Sequence, residues 1–514
     1  MPSTSTPLYA QWRNNTATWW WQDKGLRLCM ANIFILFLTP YTQGFDGILF
    51  TGLQVLPAFY SKFHPSATEL GLMAASLGFP LLVVPFFAQW LADKYGRRPL
   101  VTVASVFSIV GPLVSGLGNT RGTFIGGRVL TGVGNGFIQV TAPTLIAEIA
   151  HPRFRPVVTA SYQPTAFIGA VVCSWIMFGV TPWHSDWAWR VPTILQCVSF
   201  VPVLFWSVSP WMVESPRYLV YSGQRDKAHA LLAKLHANGD MADELVVNEL
   251  NEIIEAREAD LDKTSSFADF TRTPGNIKRL LIILLFGFIS QMSGNGMATT
   301  YIGKMIVIAG VVDPLTIQGI ICALVMWLLI SALVTAQFVE RLGRRPILLW
   351  CLGGMIIALA LVTAFSALVE TGKQYGVAAI VMIFVFGGLY NSAFAVVPYL
   401  YMTEILPYNL RGKGLSIFAF VNAALTIYTQ YGEECVLAPL IPVSPIALDA
   451  ISWRYYFVFI GCDVFTLVAM YFTITETRGH TLEEIQVLFD GPGLGRVTTS
   501  ATDEKGYVDE NEQK

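Results

Sequence analysis

The chain contains about a dozen apolar segments of roughly 20 residues each, and this feature restricts its possible folds more than any other. A helix of that length crosses the ~30 Å hydrocarbon core of a bilayer. Hydrophobic residues make up 54% of the sequence and charged residues only 13%, against about 25% in ordinary soluble domains. We therefore predict an all-α membrane protein with spans at 28–50, 70–91, 100–117, 124–145, 157–180, 191–208, 280–308, 317–338, 347–368, 377–401, 415–431 and 455–474.

A polar stretch divides these spans into two sets of six. Residues 215–278 mix charged residues with apolar residues at helical spacing, as in "ELVVNELNEIIEAREADLDK", which is typical of a soluble helical linker. The strings "DKYGRRP" and "ERLGRRP" follow the second and eighth spans, and Glu148 with Arg155 is echoed by Glu404 with Arg411. This duplication predicts an N-terminal tail (1–27), a first bundle (28–214), the linker (215–278), a second bundle (279–476) and a C-terminal tail (477–514).

Lys and Arg residues indicate how the chain is oriented. They cluster in the loops that share a side with the linker, so the positive-inside rule places those loops, the linker and both termini in the cytosol. The first apolar segment lacks the features of a cleaved signal peptide, and we expect it to be retained as a span. A net charge of −2, spread along loops, favours no nucleic-acid partner. We expect a monomer in the lipid bilayer of the plasma membrane.

From about Arg27 to Asp490 the chain resembles the sugar porter family of the major facilitator superfamily. The resemblance lies in "GFDG", "DKYGRRP", "GRVLTGVGNG", "ESPRYL", "SGNG", "ERLGRRP" and "TETRGHTLEEI". Within the family, "TEILPYNLRGKG" and "SPIALDAISWRYY" look like the fungal lactose-permease-like branch, which also includes cellodextrin carriers. The resemblance implies a major facilitator fold of twelve helices in two six-helix halves, with a hydrated site near the midplane and transport by alternating access.

Two charged residues lie inside the predicted spans of the first half. Asp46 falls in the first span and Arg128 in the fourth, and an intramembrane carboxylate costs about 2.5–3.5 kcal/mol unless it is paired, hydrated or protonated. In proton-coupled sugar porters the matching Asp accepts the proton and the matching Arg tunes it, so the resemblance implies proton coupling through this pair. The alternative interpretation is a static structural ion pair.

Charged residues also recur at the cytosolic helix ends, where we expect a gate. Arginine suits such a network because its planar fork binds a carboxylate through two hydrogen bonds. A network between the halves would latch the outward-open state, whereas the alternative is charge that only sets topology and solubility. The gate residues that we predict are Asp93, Arg97, Arg98, Glu148, Arg155, Glu214, Arg217, Glu340, Arg344, Arg345, Glu404, Arg411 and Glu476.

Uncharged polar side chains in apolar helices are candidates for solute binding, because each needs a hydrogen-bond partner in lipid. By motif position the resemblance assigns sugar contacts to Gln163, Gln291, Asn391, Tyr399 and Asn422, with Asn295 as a weaker candidate. The alternative for each is a contact that joins helices. The chain departs from hexose carriers at Ser290, where they have a second glutamine, and in "AFAVVPY", where they have "GPGPIPW". These departures leave the identity of the sugar open.

No pattern in the sequence indicates a cofactor, a metal site or an enzyme. The histidines and cysteines lack ligand or redox spacing, and the glycines of "GGRVLTGVGNG" lie in an apolar span, where they favour helix packing over phosphate binding. Three hypotheses remain. The first is a proton-coupled sugar carrier, for a disaccharide or a hexose-like sugar; the second is a facilitator or exporter of a non-sugar metabolite; the third is a sugar receptor without flux.

Overall fold

The computed structural model describes residue 12 and residues 14–262, 267–300, 302–308, 310–369, 372–395, 397–431, 456–478 and 488–490. Within these ranges the chain is helical and contains no strand. Eleven of the described helices are long and apolar enough to cross a membrane. The predicted span at 415–431 lies in a twelfth long helix, Tyr408–Tyr431. The predicted all-α membrane fold is confirmed.

The first bundle consists of six long helices, and several begin at the residues that helix-capping rules favour. At the start of the fourth helix, the Thr120 hydroxyl accepts a hydrogen bond from the backbone of Thr123, whose own side chain bonds back to Thr120. The second begins beside the same kind of reciprocal cap at Ser66. The helices are α1 (Lys24–Leu53), α2 (Thr68–Tyr95), α3 (Arg97–Leu117), α4 (Arg121–Ile149), α5 (Val157–Val180) and α6 (Trp187–Val208).

The linker folds into three further helices, α7 (Pro216–Tyr221), α8 (Arg225–His236) and α9 (Glu244–Asp262). His236 anchors them beneath the first bundle: its Nδ1 lies 2.6 Å from Glu249 Oε2 and its Nε2 lies 3.1 Å from the Ile149 carbonyl oxygen. Burial lowers the pKa of His236, but the carboxylate of Glu249 outweighs burial and raises this pKa to about 10. The linker is therefore held to α4 by a charge-assisted contact. We call this end of the bundle the linker end and the opposite end the distal end.

The second bundle repeats the six-span plan. Short breaks interrupt the second, fifth and sixth spans near Leu77, Gln163 and Cys197, and two spans of the second bundle are interrupted as well. The seventh span breaks at Ser293 and Gly294, and the tenth contains a π-helical turn, Asn391–Ala395. Breaks of this kind mark places where helix segments can reorient. The helices are α10 (Pro274–Met292), α11 (Asn295–Thr299), α12 (Ile302–Ile308), α13 (Pro314–Leu342), α14 (Arg344–Ala367), α15 (Lys373–Tyr390), α16 (Val397–Ile405), α17 (Tyr408–Tyr431) and α18 (Tyr456–Thr473).

Large apolar side chains cover the outside of both bundles. Trp350 is 81% exposed, and Phe205 and Phe472 are similarly open on other helices. Such side chains would be a liability in water, but they match the hydrocarbon of a bilayer. Polar residues are instead concentrated between the helices, which is where a solute pathway requires them.

The two bundles touch at the distal end through hydrogen bonds from side chains to backbone carbonyls. The Thr51 hydroxyl donates to the Thr299 carbonyl (3.0 Å), Gln54 donates to the Thr300 carbonyl (2.9 Å) and Gln318 donates to the Gly52 carbonyl (2.8 Å). We call this set the distal gate. A further hydrogen bond between the bundles lies deeper, from the Cys322 thiol on α13 to the Ser174 carbonyl on α5 (3.1 Å). These contacts close the conformation at the distal end.

Candidate functional site: a charged pair in one half and an amide cluster in the other

Asp46 and Arg128 come together between α1 and α4. Both are buried, at 2% and 6% exposure. Their closest approach is 3.9 Å, from Arg128 Nη1 to Asp46 Oδ1, which is too long for a hydrogen bond. The Arg128 guanidinium instead lies over the Phe50 ring, 4.8 Å from its centroid. The pair is therefore close but not locked, and a small helix movement would change how strongly the two charges interact.

Glycines allow α1 to lie directly against α5 beside this pair. A Cβ atom at Gly44 would fall 1.7 Å from the Ala166 carbonyl oxygen, and one at Gly169 would fall 1.8 Å from that of Tyr41. No side chain fits at either position, so the two backbones are in contact. This contact fixes the position of Asp46 within the bundle.

Asn135 also belongs to this site, although the motifs did not assign it. Its Nδ2 donates a hydrogen bond to Asp46 Oδ2 at 3.2 Å. Asn135 follows Arg128 by two helical turns on α4, and that spacing could have placed both residues on the face turned towards α1. Gln196 on α6 lies beside the same carboxylate, and its side-chain nitrogen is buried without a hydrogen-bond partner among the described residues.

The second bundle carries an uncharged polar cluster between α10, α15 and α17. Gln291 Nε2 donates to Asn422 Oδ1 at 2.8 Å, and Asn422 Nδ2 donates to Ser290 Oγ at 3.1 Å. The Tyr390 hydroxyl donates to the Ser290 carbonyl at 2.8 Å. We call these four residues the amide cluster. Because Gln291 and Asn422 are only partly buried, each keeps donor and acceptor capacity for a hydroxyl-bearing solute.

The other predicted solute contacts are not joined to this cluster in the described conformation. Gln163 is exposed between the two helical segments of the fifth span, and Asn295 is partly buried at the start of α11. Asn391 is 4% exposed and donates to the Leu328 carbonyl and to Ser331 Oγ on α13. These hydrogen bonds join two spans, which is the alternative to solute binding given above for each of these residues. The side chain of Tyr399 lies outside the described residues. The assignment of all of these residues to solute binding remains a prediction.

The predicted gate residues of the first half form a compact ionic cluster at the linker end. Arg97 Nε lies 3.3 Å from Glu148 Oε2, and Arg97 Nη2 lies 3.3 Å from Asp93 Oδ1. Glu214 accepts hydrogen bonds from the backbone N–H groups of Arg97 and Arg98, at 2.9 and 3.2 Å. Burial of Glu214 raises the pKa of its carboxyl, although these hydrogen bonds oppose the shift.

The second half repeats this cluster. Arg344 Nη2 lies 2.8 Å from Glu404 Oε1, and Glu476 accepts hydrogen bonds from the backbone N–H groups of Arg344 and Arg345 at 3.0 Å each. Burial acts to raise the pKa of Glu476, but hydrogen bonds from four backbone N–H groups outweigh burial and lower this pKa. The duplication seen in the sequence is thus present as equivalent contacts.

Each described ion pair of these clusters lies within one half of the transporter or joins that half to the linker. Arg155 Nη2 pairs with Glu249 of α9 at 3.3 Å, and Arg217 is exposed. The side chains of Glu340 and Arg411 lie outside the described residues. A network between the halves is not present among the described side chains, which fits a conformation that is closed at the distal end. The latch across the halves therefore remains a prediction for the opposite conformation.

Comparisons with known proteins agree with this architecture. The family model described as "Sugar (and other) transporter" matches residues 28–489. Two relatives are the MFS-type transporter oryC of Aspergillus oryzae (24% identical, covering 86% of this chain and 82% of the relative) and the D-xylose-proton symporter-like 2 of Arabidopsis thaliana (27%, 83% and 83%).

Among solved structures, the chain is similar to the inward-open xylose transporter XylE of E. coli. The TM-score is 0.72 at 18% identity, over 90% of this chain and 99% of XylE. A likeness at that identity bears on the fold alone. The family match covers nearly all of the spans and both ionic clusters, and on this evidence the chain belongs to the sugar porter family of the major facilitator superfamily, a family of membrane transporters.

Proposed function

We propose that this protein is a proton-coupled sugar transporter whose first half carries the proton and whose second half binds the sugar. The observation that carries the proposal is the buried carboxylate of Asp46, which has Arg128 close by but not hydrogen-bonded to it. The relative named as a D-xylose-proton symporter-like protein supports the same activity. A disaccharide or hexose-like sugar fits the branch resemblance.

Asp46 suits proton exchange because neither of its charge states is strongly favoured over the other. A buried carboxylate without a bonded cation favours the neutral acid, whereas a closer guanidinium favours the anion. If a change of conformation moves α1 relative to α4, the Arg128–Asp46 distance changes and the proton is taken up or released. Asn135 bonds to the carboxyl group in the described conformation and keeps it oriented towards Arg128.

The amide cluster suits a sugar because an amide donates and accepts hydrogen bonds side by side, as a hydroxyl does. In the described conformation Gln291 and Asn422 bond to each other, so a bound sugar would replace that contact with its own hydroxyls. Exchange of one set of hydrogen bonds for another costs little net free energy, which permits both binding and release. We propose that the linker end faces the cytosol, since the basic loops lie there.

An uptake panel in yeast that lacks its own sugar transporters tests this function. We expect one radiolabelled disaccharide or hexose to accumulate above its external concentration, and a protonophore to abolish the accumulation. Asp46→Asn should equilibrate that sugar without concentrating it, whereas Asp226→Asn, which changes an exposed carboxylate on the linker helix α8, should still concentrate it. Accumulation by Asp46→Asn, or accumulation that resists the protonophore, would rule out coupling through Asp46.

A second candidate is export or facilitated movement of a non-sugar metabolite. It is favoured by Asn391, whose amide joins the π-helical turn of the tenth span to α13 rather than lining an open site. If no sugar in the panel is transported and none competes with another solute, this candidate replaces the first.

A further inference from the structure

The helix α18 turns one buried stripe towards the second bundle. The residues of the stripe recur at intervals of three and four, as expected for one helix face, and none is more than 3% exposed. Their neighbours on the opposite face, such as Phe465 and Phe472, are open to lipid. The stripe consists of Tyr456, Phe459, Asp463, Thr466 and Met470.

Asp463 is the one carboxylate of this stripe, and it is fully buried. Its side chain is 0% exposed, and neither Oδ1 nor Oδ2 has a hydrogen-bond partner among the described residues. Asp46, by contrast, accepts a hydrogen bond from Asn135 and has Arg128 nearby. An ionised carboxylate without partners is strongly unfavourable in an apolar interior, whereas the neutral acid is tolerated. The surroundings of Asp463 therefore favour a bound proton.

The two helices that pack most closely on α18 carry no described charge at the level of Asp463. α18 packs against α10 and α14, and the charged residues of these two helices lie in their first two turns at the linker end. Asp463 lies near the middle of α18, ten residues and hence roughly 15 Å from its linker end. The nearby titratable groups are thiols and phenols, which are neutral at neutral pH. The charged residues of α10 and α14 are Lys278, Arg279, Arg344 and Arg345. The neutral groups are the thiols of Cys351 and Cys462 and the phenol of Tyr456.

The same stripe packs on the break in the seventh span. Gly294 has a φ of +86°, and a Cβ at this position would lie 3.2 Å from Phe459 Cγ, one helical turn from Asp463. The hydroxyl of Ser293, next to the break, is also buried without a described partner. A cavity of about 10 Å³ between Gly294, Phe459 and Met305 is at the lower limit for a single water molecule. Water is thus nearly excluded around Phe459 in this conformation.

The break also connects to the distal gate. The α11–α12 segment follows Gly294 directly, and the carbonyls of Thr299 and Thr300 in it accept the gate hydrogen bonds from Thr51 and Gln54. Opening of the gate would move this segment away from α1 and disturb its packing on Phe459.

We propose that Asp463 is a second proton-binding site of this transporter, in the half opposite Asp46. Its carboxyl group holds a proton while the distal gate is closed, and exchanges that proton with water when the α11–α12 segment moves. On release, the carboxyl O–H bond breaks and the proton passes to a water molecule, which becomes hydronium; on uptake, an O–H bond of hydronium breaks and the O–H bond of the carboxyl group forms. The site is distinct from the coupling proposed for Asp46 and does not depend on it.

Infrared spectroscopy of the purified, lipid-reconstituted protein tests the protonation directly. We expect the carbonyl stretch of a protonated carboxylic acid at neutral pH in the Asp46→Asn variant and its loss in Asp46→Asn combined with Asp463→Asn. Thr466→Val, a neighbouring change on the same stripe, should retain the band, as should Lys304→Gln, which removes a cation on α12. Persistence of the band after Asp463→Asn, or its absence while Asp463 is present, would overturn the proposal.

Deuterium exchange tests the link to the gate in protein that keeps Asp463 intact, so this arm does not depend on the folding of the variant. Gln54→Cys and Thr300→Cys, introduced without the native cysteines and joined by a reducible bifunctional reagent, hold the gate closed. We expect the deuterium shift of the band to be at least tenfold slower while the cross-link is present. Equal rates before and after reduction would overturn exchange through the gate. Both infrared results are expected to be the same whether Asp46→Asn abolishes sugar-driven proton transport, as the proposed function predicts, or retains it.

Discussion

At the linker end the two halves carry the same ionic cluster, whereas at their centres they carry different chemistry. Arg97 with Glu148 and Glu214 corresponds to Arg344 with Glu404 and Glu476, contact by contact. Between the helices, however, the first half has Asp46 and Arg128, and the second half has uncharged amides. The two halves therefore share the contacts that set helix geometry, and we propose that they divide the two tasks of a coupled carrier between them.

Removal of Arg128 should have the largest effect on concentrative uptake. If it has no effect, the chemical difference between the centres of the two halves does not serve coupling. In Arg128→Leu, Asp46 loses the cation that favours release of its proton, so we expect accumulation against a gradient to be abolished while sugar exchange across the membrane persists. Counterflow and concentrative uptake measured on the same vesicles separate the two activities. Arg225→Leu, which removes an exposed guanidinium on the linker helix α8, should leave accumulation in place. Coupled uptake by Arg128→Leu would mean that the central pair is only structural.

The equivalence of the two ionic clusters can be tested at their glycines. Gly96 and Gly343 have φ values of +95° and +91°, and a Cβ atom would lie 2.4 Å from Glu214 Oε2 in one case and 2.8 Å from Glu476 Oε2 in the other. We expect Gly96→Ala and Gly343→Ala each to lower the free energy of unfolding by about 1–3 kcal/mol. Gly126→Ala is the matched control, because a Cβ there meets nothing within 4 Å. Thermal unfolding in detergent would measure all three, and a loss confined to one half would contradict the equivalence.

The amide cluster should affect binding and leave coupling intact. Gln291→Leu removes the donor that reaches Asn422, and the net worth of such a hydrogen bond, about 0.5–1.5 kcal/mol, corresponds to up to about a tenfold rise in KM. Asn422→Leu should behave alike, and the double variant should cost less than the sum because the two residues share one contact. Initial uptake rates across sugar concentrations measure this. An unchanged KM would remove the amide cluster from the sugar site.

The smallest expected effect concerns the pH dependence of stability, to which the equivalent carboxylates Glu214 and Glu476 should contribute with opposite signs. The pKa of Glu476 is lowered in the fold, so its contribution to stability is present above the unfolded pKa and is lost as pH falls through the folded pKa. The pKa of Glu214 is raised, so its contribution is present below the unfolded pKa and is lost as pH rises through the folded pKa.

Variants with glutamine at each position would show this sign. We expect the stability of the wild type relative to Glu476→Gln to increase with pH, and its stability relative to Glu214→Gln to decrease with pH. Thermal unfolding at several acidic to neutral pH values measures both. The same slope for both variants would show that the two clusters have equivalent electrostatics.

The sequence predicted the parts of this structure that depend on periodicity. Spans, linker helices and the duplicated strings followed from apolar length and repetition, and they are present at the expected places. Contacts between distant helices did not follow. The bond from Asn135 to Asp46 depends on how α1 packs against α4, and the pairing of Gln291 with Asn422 depends on the packing of α10 against α17. Asp463 was overlooked, although the rule that singled out Asp46, a carboxylate inside an apolar span, applies to it equally; the sequence does not show that its side chain faces the bundle without a partner.

In the proposed function the first half carries the proton and the second half binds the sugar. Sugar-driven proton movement into liposomes that contain the purified protein is the most direct test of this assignment. A pH-sensitive dye inside the vesicles reports the proton, and radiolabelled counterflow reports the sugar. We expect the wild type to move both, Asp46→Asn to move only the sugar, and Gln291→Leu to move both at reduced apparent affinity. Proton movement that persists in Asp46→Asn would contradict the assignment of the proton to the first half.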